Sequence, residues 1–163
     1  MLPSCMGDHA KPGPVLKNFK VDSDQEKLLE ELPATLIPTT STPGARDISA
    51  HLFVLKMMDD CFSPEDQDKF FKGMRQLDDI ARSTLGTSFA AAAGPRRESL
   101  LQTIEDGKAP GAELSFFYST TKKQTILAYS SSSWFLTKVQ IYELVPGRFH
   151  GCVPVQQPLK SAS

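Results

Sequence analysis

Apolar residues recur at helical spacing in five stretches of this chain, and no stretch shows the strict alternation of a half-buried strand. The first predicted helix runs from about Asp24 to Thr35, with Leu28, Leu29, Leu32 and Leu36 on one stripe. Ser23 is its expected cap, with Glu26 completing a capping box. Pro33 removes a backbone bond there, so a kink or a restart at Pro33 is expected. The second helix is predicted from about Ile48 to Cys61, capped by Asp47 and facing inward through Leu52, Leu55, Met58 and Val54. The third has the clearest start: Ser63 caps, Pro64 opens the helix, and Glu65 and Asp66 favour the positive end of its dipole. Its stripe is Phe70, Met74, Leu77 and Ala81, and Gly86 is its expected C-terminal cap. A shorter fourth helix runs from about Pro95 to Glu105, with Leu100, Leu101 and Ile104 inward. The fifth runs from about Glu113 to Ser131 through Phe116, Phe117, Thr120, Gln124, Leu127 and Tyr129.

Between these periodic runs the chain is punctuated. Leu36 to Ala45 holds Pro38, Pro43, Gly44 and four hydroxyl residues, which reads as a loop. Phe89 to Ala93 is an apolar turn. Ser130 to Ser133 lower helix propensity, because their hydroxyls compete for backbone bonds. Trp134-Phe135-Leu136 then forms an apolar cluster, and Ile141 to Leu144 reads as a short strand or an extended arm. The expected fold is therefore all-α: a single irregular bundle of about five helices with an ordered non-helical C-terminal tail. Residues 1–21 read as a disordered polar linker, 22–155 as the helical domain and 156–163 as a flexible end.

Composition narrows the function classes. With 163 residues the chain is long enough for one domain with a real core. Its 18 Lys+Arg against 19 Asp+Glu leave no electrostatic footprint for nucleic acid. No stretch approaches the ~20 apolar residues of a membrane-spanning helix. Three cysteines, Cys5, Cys61 and Cys152, fit no metal spacing. Met1-Leu2-Pro3-Ser4-Cys5 resembles the end of a lipoprotein signal, with Cys5 at the lipidation position, although the basic and apolar regions of a signal do not precede it.

Candidate chemistry is sparse. The chain has no phosphate loop, no Gly-x-Gly-x-x-Gly, no His-Glu-x-x-His and no serine nucleophile elbow. His9, His51 and His150 lie in the linker, on a helix and in the terminal loop. His51 sits beside an apolar face and reads as a boundary histidine rather than a ligand. Asp78-Asp79 are adjacent on a helix, point in different directions and read as solvated. The stretch Val145 to Pro154 is the candidate binding element: Arg148 offers a carboxylate partner, Phe149 an apolar anchor, and His150 and Cys152 polar or reactive groups. Two readings of it stand, docking onto another chain or folding back over the bundle.

Three segments carry a family resemblance, in order: Leu36 to Ala45, Asp59 to Gln67, and Val145 to Pro154. Over about residues 25–155 the chain resembles subunit 3, the small subunit, of membrane-associated gluconate 2-dehydrogenase. The resemblance implies an exported helical subunit that holds no cofactor and does no catalysis by itself. It implies a large FAD-dependent partner of the glucose–methanol–choline type and a cytochrome c subunit whose haem c takes the electrons. The small subunit would assist export or maturation of the flavoprotein in the periplasm or cell envelope. Pro146, Gly147, Arg148, Phe149, His150 and Cys152 of the tail, with Thr39 and Pro43 of the first motif, are then the expected partner-binding residues. An oxidising compartment permits a Cys61–Cys152 bond, since both cysteines lie in the motifs, and makes Cys5 the end of a truncated signal. Ser41 and His150 replace aspartates of the family pattern. The alternative is a free-standing periplasmic or lipid-anchored scaffold. An enzyme built on His51 or His150 with Cys152 ranks last, for want of an orienting third group.

Overall fold

A computed structural model describes residues 15–107 and 111–140; the tail motif, Cys5, His9 and the expected arm at 141–144 lie outside the described residues. Among the described residues there are six helices and no strand: α1 Ser23–Leu36, α2 Ala50–Cys61, α3 Pro64–Leu85, α4 Gly94–Glu105, α5 Ala112–Ser130 and α6 Ser133–Lys138. The all-α expectation holds. The helix added to the expected five is α6, and the serines explain it. Ser131 ends α5, and the Ser132 hydroxyl caps α6 by accepting the Phe135 N–H at 3.2 Å. The property that weakens serine inside a helix makes it a good cap between two helices.

The other helix starts follow local chemistry, with two shifts from expectation. Asp22, not Ser23, caps α1: its carboxylate accepts from the Asp24 and Gln25 N–H groups, and Gln25 returns the bond to the Asp22 N–H. The capping box is therefore one residue earlier, where an anion also meets the helix dipole. Pro33 does not restart the helix. It lies in the last turns of α1, buried, and its carbonyl accepts the Ile37 N–H at 2.9 Å. The second shift is at α2, which begins at Ala50 after Ser49, a residue in the left-handed region at φ 55°. Asp47 does not cap it, because its carboxylate turns back into the preceding loop. α3 starts and ends as expected, with the Ser63 hydroxyl on the Asp66 N–H and Gly86 at φ 75°.

α5 is the central element and packs chiefly against α3 and α2. Phe117 of α5 meets Phe70 of α3 edge to face, with ring centroids 4.8 Å apart. The main core joins Leu28, Leu29 and Leu32 of α1, Leu55 and Met58 of α2, Met74 and Leu77 of α3, and Leu114 of α5, with Phe89 fully buried from the apolar turn. The two long helices approach most closely at Gly73. A Cβ there would lie 2.1 Å from the Glu113 carbonyl oxygen and 2.6 Å from the Phe117 Cβ. A glycine in a helix interior costs about 1 kcal/mol of propensity, which the close crossing requires here.

Residues 15–21, expected as the end of a disordered linker, are instead strapped to the bundle. Asp59, sealed at the end of α2, accepts the Lys17 N–H at 2.9 Å and the Asn18 N–H at 2.8 Å, and the Asn18 amide donates to the Asp59 carbonyl. Phe19 packs edge to face on Phe71, and Leu16 and Val21 join the core margin. The linker reading failed because the partner of these residues is a carboxylate some forty positions away. Burial alone would raise the Asp59 pKa, but the two backbone N–H groups and nearby Lys56 outweigh it and hold it below the ordinary value. On the other side, Glu31 of α1 pairs with both Arg46 of the 37–49 loop and Arg97 of α4. Asp78, expected as solvated, also has a structural role: it accepts the Phe89 N–H at 2.8 Å and pairs with Arg82. Asp79 is exposed.

Two outcomes follow from this packing. Gly73→Ala should destabilise the protein by about 1–3 kcal/mol or more, since the clash is with backbone and a Cβ that cannot swing away; urea denaturation measures it. For Asp59 the folded pKa lies below the unfolded value of about 3.9, so its contribution is complete above that value and is lost as pH falls through the folded one. Asp59→Asn should remove part of this acid dependence and expose the Lys17 and Asn18 amides to hydrogen exchange. Unchanged protection of those amides would contradict the strap.

Candidate partner-docking site

The 37–49 loop is built against the last turns of α5. Its fold is fixed from within: the Asp47 carboxylate accepts the Thr39 hydroxyl at 2.6 Å and the Gly44 N–H at 2.7 Å. These two bonds, the Thr39 hydroxyl first, hold the Asp47 pKa below the ordinary range. The Ala45 N–H reaches the Ile37 carbonyl, closing the loop across its base. A Cβ on Gly44 would meet the Thr39 nitrogen at 2.5 Å, so the turn requires glycine. Ala45 and Ala50 then bury against Ala128 of α5, flanked by Ile37, Ile48 and Phe53. The Tyr129 hydroxyl donates to the Pro43 carbonyl at 3.0 Å. Of the two loop residues expected to bind a partner, Thr39 thus spends its hydroxyl and Pro43 its carbonyl inside the chain.

α5 and α6 carry an apolar surface, and Leu127, expected on the buried stripe of α5, lies on it because Thr121, Gln124 and Thr125 take the inward positions. Along the second half of α5 the buried positions are Thr120, Thr121, Gln124, Thr125 and Ala128, while Ile126 and Leu127 face solvent at 53% and 46% exposure. The Thr121 and Thr125 hydroxyls and the Gln124 carbonyl oxygen are buried with no hydrogen-bond partner among the described residues. This end of α5 buries mostly polar side chains and exposes two aliphatic ones, unlike an ordinary surface helix. The apolar surface continues beyond it. Ile126 and Tyr129 are three apart and share a helix face. The Tyr129 ring lies 6.1 Å from Trp134 and 5.9 Å from Phe135 of α6, both half-buried with Leu136. Val139, just after α6, is 51% exposed.

Groups suited to chemistry are otherwise engaged. A cleft of about 710 Å3 opens between α1, α3 and the 88–91 turn, but charges of both signs line it, and Lys27 pairs with Asp24 and Arg82 with Asp78. His51 is half-buried on α2, and burial pushes its pKa down, with Glu30 and Glu26 pulling the other way. The Tyr118 phenol is pushed up to about 12 by burial and then by its hydrogen bond to Glu105, so it stays a neutral donor at physiological pH. Among the described residues no group of three His, Cys, Asp or Glu side chains is placed to hold a metal ion, and no helix is long and apolar enough to cross a membrane. Cys61, the last residue of α2, is an exposed thiol. Its expected partner Cys152 lies outside the described residues, as do Pro146, Gly147, Arg148, Phe149 and His150.

The Tyr129–Pro43 bond supplies a direct check on how the loop is held. Tyr129→Phe removes only the hydroxyl and should cost about 0.5–1.5 kcal/mol, the usual net value of one such bond. Faster exchange should be confined to the 37–49 loop. A full-length loss of protection would place the hydroxyl in the global fold instead.

Comparison with known proteins adds a family to this geometry. No curated protein and no solved structure matches the chain. A family model described as "Gluconate 2-dehydrogenase subunit 3" matches residues 23–147, from the first residue of α1 to seven residues past the end of the described structure. The match spans all six helices, the 37–49 loop and the exposed apolar end of α5, so the chain belongs to the gluconate 2-dehydrogenase subunit 3 family.

Proposed function

We propose that this chain is the non-catalytic small subunit of an exported FAD-dependent dehydrogenase of the glucose–methanol–choline type, which it binds and whose export or maturation it assists. Family membership supports the reading as a subunit. The observation that carries it further is the exposed aliphatic end of α5: Ile126 and Leu127 in water beside the α6 aromatic cluster suit a surface that another chain covers. In this reading FAD resides in the large subunit, a cytochrome c subunit with haem c accepts its electrons, and this chain supplies contact surface alone. Its place is the periplasm or cell envelope, and Cys5 is the end of the export or lipoprotein signal. Glu31, Asp47, Asp59 and Glu105 are all consumed in holding segments of this chain together, which suits a scaffold.

Co-expression of the tagged chain with the flavoprotein tests this. The expected result is a stable co-eluting large chain with a flavin absorbance spectrum, and loss of exported, flavin-loaded enzyme when the small chain is omitted. Sugar-dependent dye reduction by the eluate would then give the substrate class. A colourless monomer beside a fully exported and active flavoprotein would overturn the proposal.

A further inference from the structure

The α5–α6 end of the bundle has a charge pattern as well as an apolar surface, and together they specify a partner. Lys123 lies three and four residues before Ile126 and Leu127, so it borders both on the helix surface. Lys138 ends α6 directly before Val139. Both lysines are exposed, and neither has an ion-pair partner among the described residues. Lys122, the third cation here, pairs with Glu105. From Glu113 to Glu143 the chain has no intervening Asp or Glu, a run that includes nearly all of α5 and the whole of α6. The nearest carboxylate from the loop packed against this end is Asp47, which is engaged by Thr39 and Gly44. The patch is therefore apolar at its centre and cationic at its edge, although the whole chain has a formal charge of −1.

Resting on the small-subunit reading, we propose that this face is where the flavoprotein docks, and that it selects an apolar surface edged by carboxylates. Ile126, Leu127, Trp134 and Val139 supply the desolvated centre. Lys123 and Lys138 supply the polar rim that sets register and encounter rate more than affinity. Burying Ile126 and Leu127 would remove the aliphatic part of the exposed α5 stripe from water.

The test uses the purified full chain and the co-expressed flavoprotein, with Kd measured at several salt concentrations. Leu127→Asp should weaken binding at least about tenfold, as loss of an interface anchor does. Lys123→Glu combined with Lys138→Glu should weaken it at low salt and flatten or reverse its salt dependence, because the attraction screened by salt is gone. Both variants should melt like the wild type, since all three positions are exposed. Arg75→Glu, on the α1–α3 cleft, should leave Kd within about twofold. Wild-type binding that survives Leu127→Asp and the double lysine reversal would overturn this surface and leave the small-subunit reading intact. A wild-type chain with no affinity for the flavoprotein would sink both. Self-association abolished by Leu127→Asp, with flavoprotein binding unchanged, would assign the patch to a second copy. Greater dye binding to the patch on removal of residues 141–163, again with flavoprotein binding unchanged, would assign it to the chain's own tail. Either result would overturn the proposal.

Discussion

The bundle depends on how closely α3 and α5 can approach. At Gly73 the backbone of one helix lies against the side chains and carbonyl of the other, with no room for a methyl group. That contact lets the Phe70 and Phe117 rings meet and draws Met74, Leu77 and Leu114 into one core. Once α5 is seated this deep, α2 closes over it from another side and α1 fills the remaining space. One stripe of α5 stays exposed, from Ser115 and Ser119 through Lys123 to Ile126 and Leu127, and its other residues are sorted by neighbour.

Around this crossing, the segments without regular structure are held by single carboxylates. Asp59 holds the N-terminal strap through two backbone N–H groups, Asp47 folds the 37–49 loop, Asp78 fixes the turn that buries Phe89, and Glu31 joins α1 to that loop and to α4. An anion accepting backbone N–H groups makes a charge-assisted bond, stronger than a neutral one. Each such bond acts beside a hydrophobic anchor: Phe19 in the strap, Ala45 in the loop and Phe89 in the turn. The cost is that these acids are unavailable for proton transfer or metal binding.

What remains unspent is surface. The aliphatic groups on the outside of α5, Ile126 and Leu127, gain nothing from folding alone. A free-standing domain has little reason to keep that arrangement. A subunit does, because its stability is completed in the assembly. The family assignment and the physical oddity of α5 thus point the same way from independent observations.

Much of the architecture was written locally. The start and end of α3 were legible because Ser63, Pro64 and Gly86 act on the residues beside them, and the all-α class was legible because helical period is a local property. The family was legible for the same reason, in short motifs with fixed turn chemistry such as Leu36 to Ala45. The docking face was not. The expected residues were Thr39, Pro43 and the tail; Thr39 stays at the surface with its hydroxyl on Asp47, and the Pro43 carbonyl is held by Tyr129. Which groups pair with Asp59 or Asp47, why Gly73 is a glycine, and which face of α5 meets water all depend on contacts between segments distant in the chain. Sequence by itself determined where helices form and stop, through caps, prolines and period. Tertiary structure decided which surfaces those helices bury, because burial is a property of neighbours brought together only by the fold.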